Sequence, residues 1–228
     1  MSDSEGEGER VQYKVILLGD GAVGKTSITR RFTNDEFKQS YLQTIGVDWS
    51  MKTIVLPGEI EVTLQIWDIG GQQLGSKMLS NYIYGSDAVI LTYDTTSFAS
   101  FKNLQEWYQL VQVVFKDRKP TIAVMGNKSD LNHLRNVKKE AHTKWCTEND
   151  FLNFYVSAKT GDSVQSSFIR LAGVLAQVSV PKATIEGMGK VVKAEIVNYP
   201  ITDNENEDWK KKHEEEVEKK RNKKCIIA

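Results

Sequence analysis

The chain has 228 residues, 40% of them apolar, with 30 basic and 30 acidic side chains and two cysteines. The length suits one domain of ordinary size with residues to spare, and the composition excludes a wholly disordered chain. Zero net charge gives no global reason for nucleic-acid binding, no apolar run reaches a membrane span, and Cys146 and Cys225 fit neither a disulfide framework nor metal-ligand spacing.

In chain order, residues 1–10 set Asp3, Glu5, Glu7 and Glu9 among Ser and Gly, which predicts a disordered acidic tail and no secretory signal. Residues 13–18 are an apolar run ending at Gly19, a buried strand by pattern. A helix is predicted to open at Lys25. Runs 49–56 and 61–67 flank the turn signal Pro57-Gly58 and predict a hairpin. Runs 88–93, 121–126 and 151–156 predict further strands. Phe101, Leu104, Tyr108 and Val111 recur at helical spacing, as do Val164, Phe168, Leu171 and Leu175. Cys146 falls in a predicted helix, 138–148, and reads as a packed, inert thiol. After Val180 the pattern decays. The expected organisation is a globular domain over 11–180, a hypervariable, largely disordered tail over 181–224, and a four-residue ending, 225–228. Within the tail, 210–220 is read as a solvated linker in preference to a charged helix. Strand and helix alternation predicts an α/β fold. Its six-stranded sheet is mostly parallel, with one antiparallel edge strand and helices on both faces.

Gly19-Asp20-Gly21-Ala22-Val23-Gly24-Lys25-Thr26 fits the pattern G-x-x-x-x-G-K-[ST] between a predicted strand and a predicted helix. Glycines let backbone N–H groups approach phosphate oxygens with no Cβ in the way. The helix N-terminus, running on through Ser27, adds partial positive charge. Lys25 is expected to reach the β- and γ-phosphates, and the Thr26 hydroxyl to ligate magnesium. This loop indicates a nucleoside triphosphate without saying which one.

Asn127-Lys128-Ser129-Asp130 and Ser157-Ala158-Lys159 each follow a predicted strand. With them the chain resembles the small GTPases of the Ras superfamily, whose base motifs are NKxD and SAK. The resemblance implies that Asp130 accepts from guanine N1–H and the 2-amino group, donors that adenine lacks. It implies that Lys128 packs over the base, that Asn127 ties the loops together, and that the Ala158 N–H meets guanine O6. Ser157 and Lys159 complete that motif, and Phe37 stands where relatives place an aromatic edge against the base. Gln43-Thr44-Ile45-Gly46-Val47-Asp48 resembles switch I, so Thr44 is implied to ligate magnesium and contact the γ-phosphate. Trp67-Asp68-Ile69-Gly70-Gly71-Gln72 resembles switch II. There Asp68 is implied to hold magnesium through a water, the Gly71 N–H to meet the γ-phosphate, and Gln72 to orient the attacking water.

Ile45-Gly46-Val47-Asp48-Trp49 and Leu91-Thr92-Tyr93-Asp94-Thr95-Thr96 are similar to Rab-family segments. The likeness covers about residues 11–180. The chain departs from the usual Rab wording at Gly70, where an alanine is common, at Gln73, where a glutamate is common, and in a single C-terminal cysteine. The Gly70-Gly71 pair predicts a switch II that loosens without the γ-phosphate. The resemblance implies a monomeric GTP/GDP switch in vesicle and membrane trafficking, served by an exchange factor, an activating protein, effectors and a prenyltransferase. Arg30, Arg31 and Arg118 match no motif position and read as surface charge, so unassisted turnover is expected to be slow. A P-loop kinase or ATPase and a nucleotide-binding scaffold without hydrolysis remain as alternatives.

The chain ends Cys225-Ile226-Ile227-Ala228, a C-a-a-X pattern whose final Ala favours farnesyl on Cys225. Five of the six residues before it, 219–224, are basic. One lipid chain binds marginally, and a basic cluster against anionic lipid adds about 1 kcal/mol per residue. The expectation is an anchor on the cytoplasmic face of cellular membranes, exchanging with the cytosol.

Overall fold

The computed structural model describes residues 11–40, 42–116 and 119–188. The expectations for the acidic start, for 189–224 and for Cys225 lie outside the described residues. Strands β1 (Val11–Leu18), β2 (Val47–Leu56), β3 (Ile60–Ile69), β4 (Ala88–Asp94), β5 (Thr121–Asn127) and β6 (Leu152–Tyr155) form one sheet in the order β2-β3-β1-β4-β5-β6. Every neighbouring pair is parallel except β2 with β3, the hairpin at Pro57-Gly58, so β2 is the antiparallel edge strand. This is the predicted architecture.

Alternation along each strand feeds two cores. From β1, Val15 and Leu17 face helices α1 (Lys25–Asn34) and α5 (Val164–Leu175), where Phe32 and Phe168 stack with ring centroids 4.0 Å apart. Ile16 and Leu18 face α2 (Leu79–Ile83), α3 (Phe98–Val114) and α4 (Lys139–Asn149). Central β4 is buried along its whole length, from the apolar run 88–91 through Thr92, Tyr93 and Asp94. Cys146 is buried on α4, and burial pushes its thiol up to about 12, so it stays protonated and inert. A further helix, α6 (Lys182–Met188), follows Val178 and Val180, which pack with Ile185 against the α5 side of the core, so regular structure runs past 180, where the sequence places the start of a largely disordered tail.

On α3 the buried face differs from the predicted stripe. Leu104 and Val111 are buried as expected, but Trp107 is the central buried side chain, with Phe101 and Tyr108 at the margins. The five residues of α2 carry too short a period to be legible in sequence. No helix among the described residues is long and apolar enough to cross a membrane.

Candidate functional site

The chain runs from β1 to β3 on one side and then places β4 on the other, so strand order reverses beside β1. A crevice opens at the carboxyl ends of the strands at such a point. A cavity of about 290 Å³ lies there, walled by the loop after β1, residues 37–40 and 42–44, Gly71 and Gln72, and the loops after β5 and β6. Of the described residues expected at the site, Gly19, Asp20, Val23, Asp68 and Ser157 stand behind this lining, and the others line it.

The loop after β1 is drawn tight around the cavity. Gly24 takes φ 97°, and a Cβ there would run into the Asn127 side-chain amide. Gly71 lies so close that its Cβ would overlap the Gly21 amide, which seats the segment after β3 on the loop after β1. The buried Lys25 ammonium donates to the carbonyls of Gly19 and Asp20, both at 2.7 Å. Burial lowers its pKa to about 8 against the opposing pull of Asp68 and Asp20. The Asp20 side chain turns away from the cavity. Its carboxylate accepts from Asn103 Nδ2 at 2.8 Å and from the Trp107 indole N–H at 2.9 Å, pinning the loop to α3.

Three oxygen-bearing side chains meet at one end. The Thr26 hydroxyl donates to Asp68 Oδ2 and is 2.8 Å from the Thr44 hydroxyl. Asp68 is buried, its Oδ1 has no hydrogen-bond partner, and burial pushes its pKa up. A buried carboxylate oxygen without a partner is costly. A hard divalent cation with oxygen preference would satisfy it, and two hydroxyls with one carboxylate suit magnesium better than a softer metal. The residues present therefore fit the metal that the loop implies.

The other end is built from cross-braced loops. Asn127 Nδ2 donates to the Val23 carbonyl at 2.8 Å, and its Oδ1 accepts the Ala158 N–H at 3.1 Å, which corrects the expectation that this N–H stands ready for guanine O6. One side chain thus joins the loop after β1 to the loop after β6. Lys128 takes a left-handed backbone, φ 63°, which costs a non-glycine residue about 1 kcal/mol or more. The Thr95 hydroxyl, donating to the Lys128 carbonyl at 3.2 Å, helps to hold it. Ser157 donates to Asp130 Oδ1 at 2.6 Å and accepts the Thr160 N–H at 3.1 Å, which leaves Asp130 Oδ2 for a ligand. Phe37 lines the cavity half-exposed, beside the rim.

Arg30 also lines the cavity, which corrects its reading as plain surface charge. It lies one helical turn after Thr26, so its side chain leans back over the Thr26 turn. Its charge acts on Asp68. No motif position marks it, and only the folding of residues 37–40 and 42–44 around the same cavity could have found it.

Comparison with known proteins matches residues 14–177 to the Ras family. Ras-related protein Rab-28 of Caenorhabditis elegans is 39% identical over 189 residues, covering 82% of this chain and 76% of that protein. Ras-related protein Rab-30 of Homo sapiens is 38% identical, covering 70% and 78% respectively. Ras-related protein Rab7 of Drosophila melanogaster is 38% identical, covering 68% and 76%.

Proposed function

Because the chain belongs to the Ras family, among its Rab-like small GTPases, we propose that this cavity is where GTP is bound and hydrolysed. The chain is a GTP-hydrolysing switch of membrane trafficking. The observation that carries the site assignment is the pairing of two unlike ends in one cavity. Thr26, Thr44 and Asp68 converge at one, and an Asp130 carboxylate braced by Ser157 stands at the other.

The phosphates lie along the amides of residues 21–26, against the Lys25 ammonium and the N-terminus of α1. Thr26 and Thr44 would hold magnesium directly, with Asp68 behind them. The ion neutralises charge on the β- and γ-phosphates when bound. Gly71 offers its amide to the γ-phosphate, and Gln72, exposed on the rim, orients the attacking water. Guanine is selected by Asp130 Oδ2, because adenine would leave this carboxylate oxygen without its donors. Loss of the γ-phosphate removes the Thr44 and Gly71 contacts and frees both switches, which is how effectors would sense the state.

Single-turnover hydrolysis of GTP, with and without magnesium, tests this reading. Gln72→Leu is expected to slow the bound reaction at least ~10-fold. Thr26→Asn is expected to favour the GDP or empty form. Wild-type kinetics in Gln72→Leu refute the role given to Gln72, and equal affinity for ADP and GDP refutes the base assignment.

The five charges of 219–224 and the thiol of Cys225 support prenyl anchoring at an anionic membrane surface. Cys225→Ser is expected to shift the protein from membrane to soluble fractions. Unchanged partition removes the anchor from this account.

A further inference from the structure

Arg31 lies on α1 outside the cavity lining and matches no motif, yet all three nitrogens of its guanidinium are engaged. Nε donates to the Ala158 carbonyl at 3.0 Å and Nη2 to the Lys159 carbonyl at 2.9 Å. Nη1 donates to the Asp35 carbonyl at 2.8 Å and to its carboxylate at 3.0 Å. Its stem passes Gly161, where a Cβ would stand 3.4 Å from Arg31 Cδ, so the loop after β6 closes down on the side chain.

The guanidinium is a rigid planar fork, and two successive carbonyls of one loop occupy it. A trans peptide points its N–H opposite to its C=O. Holding the Ala158 carbonyl from behind therefore turns the Lys159 N–H to the other face, where Ala158 and Lys159 line the cavity. That amide matters because the Ala158 N–H already donates to Asn127 Oδ1. Asp35 is the left-handed C-cap of α1, φ 55°, at which the chain leaves the helix toward Phe37 and the cavity wall. A single side chain thus joins the root of switch I to the back of the base loop.

We propose that Arg31 is a positioning residue for base recognition. It aims the Lys159 amide at the oxygen on C6 of guanine, and it couples that aim to the place of Asp35 at the root of switch I. The inference rests on the guanine reading above and adds a residue to it. Drawing switch I away moves Asp35, loosens the fork and weakens the hold on the base from a distance. The exposed Asp35 carboxylate contributes little of this, and the two loop carbonyls contribute most.

The test compares release of GDP, 6-thio-GDP and IDP from the magnesium-loaded full chain, for wild type, Arg31→Ala and Arg31→Lys. Sulfur at position 6 is a poorer acceptor, and IDP lacks the 2-amino group that Asp130 reads. Arg31→Ala is expected to speed GDP release about tenfold. It is expected to shrink the 6-thio penalty while leaving the inosine penalty intact, because Ser157 still braces Asp130. Arg31→Lys, with one nitrogen for three, is expected to restore little. Unchanged GDP release in Arg31→Ala, both penalties shrinking together, or full rescue by lysine overturns the inference. A wild-type chain that holds ADP as well as GDP overturns the guanine reading, and this inference with it.

Discussion

The Lys128 ammonium lies 2.7 Å from the Asp94 carboxylate, across the ends of two neighbouring strands. Asp94 closes β4 opposite Asn127 at the end of β5, so strand register brings the pair together. The other Asp94 oxygen accepts the Thr96 N–H at 2.8 Å and the Thr96 hydroxyl at 2.7 Å, so the carboxylate is fixed before Lys128 meets it.

Asp94→Asn keeps an acceptor for Thr96 and removes only the ion pair. The Lys128 side chain is about a third exposed, at 34%, so screening limits the pair to about 1 kcal/mol or less. Release of a fluorescent GDP analogue is expected to quicken about fivefold at most. An unchanged rate shows that Asp94 does not set the stance of Lys128.

Gly70 is where this chain departs from the common Rab wording. A Cβ at Gly70 would stand 2.5 Å from the Thr44 carbonyl and 3.3 Å from the Gly46 carbonyl. The Gly70 N–H meanwhile donates to that Gly46 carbonyl at 2.9 Å. Gly70→Ala must therefore push switch I outward and part Thr44 from Thr26. The nucleotide-bound protein is expected to need several-fold more magnesium to retain GTP, read by titrating the metal against nucleotide release. An unshifted titration means that switch I yields at no cost.

The same glycine pair has a dynamic consequence. Hydrogen exchange across 68–80 is expected to be faster with GDP than with a non-hydrolysable GTP analogue, because only the latter carries the γ-phosphate to which the Gly71 amide is proposed to bind. Equal protection in the two states contradicts it.

His142 is buried, its Nδ1 hydrogen-bonded to Tyr93 Oη at 2.9 Å and its Nε2 without a partner. Burial, followed by the Arg135 charge, lowers its pKa from 6.5 to about 4. The Tyr155 ring and Cys146 complete the surroundings. The unfolded chain thus binds a proton at higher pH than the folded one. Stability is full above about pH 6.5 and falls as pH drops through the window to about 4, by about 3 kcal/mol on a shift of this size. His142→Gln is expected to flatten that part of the stability–pH curve, measured by urea unfolding at several pH values. A curve of unaltered slope assigns the acid sensitivity elsewhere.

Phe32 and Phe168 stack between α1 and α5 with both rings fully buried. Phe168→Ala is expected to cost about 3–5 kcal/mol and lower Tm by roughly 10 °C for a domain of this size. Because α1 carries Thr26, Arg30 and Arg31, thermal unfolding should be followed with GDP present. A loss below about 1 kcal/mol would mean that the helices close over the cavity.

Sequence alone determined whatever consecutive residues carry. The apolar run of β1, the hairpin at Pro57-Gly58 and the periodicity of α5 are local patterns, and each predicts its element. The phosphate loop is equally local, since its backbone amides and the Lys25–Thr26 pair lie within eight successive residues. The base motifs were legible from their order along the chain. Tertiary structure decided what depends on pairs far apart in sequence. Trp107 occupies the α3 face because its indole N–H has an acceptor in Asp20, 87 positions away. Arg31 ceases to be surface charge only when the loop after β6 brings two carbonyls to it, from 127 and 128 positions away. Such bonds leave no period and no motif, because the angle at which helices and strands pack sets them, and that angle comes from burial across the whole sheet.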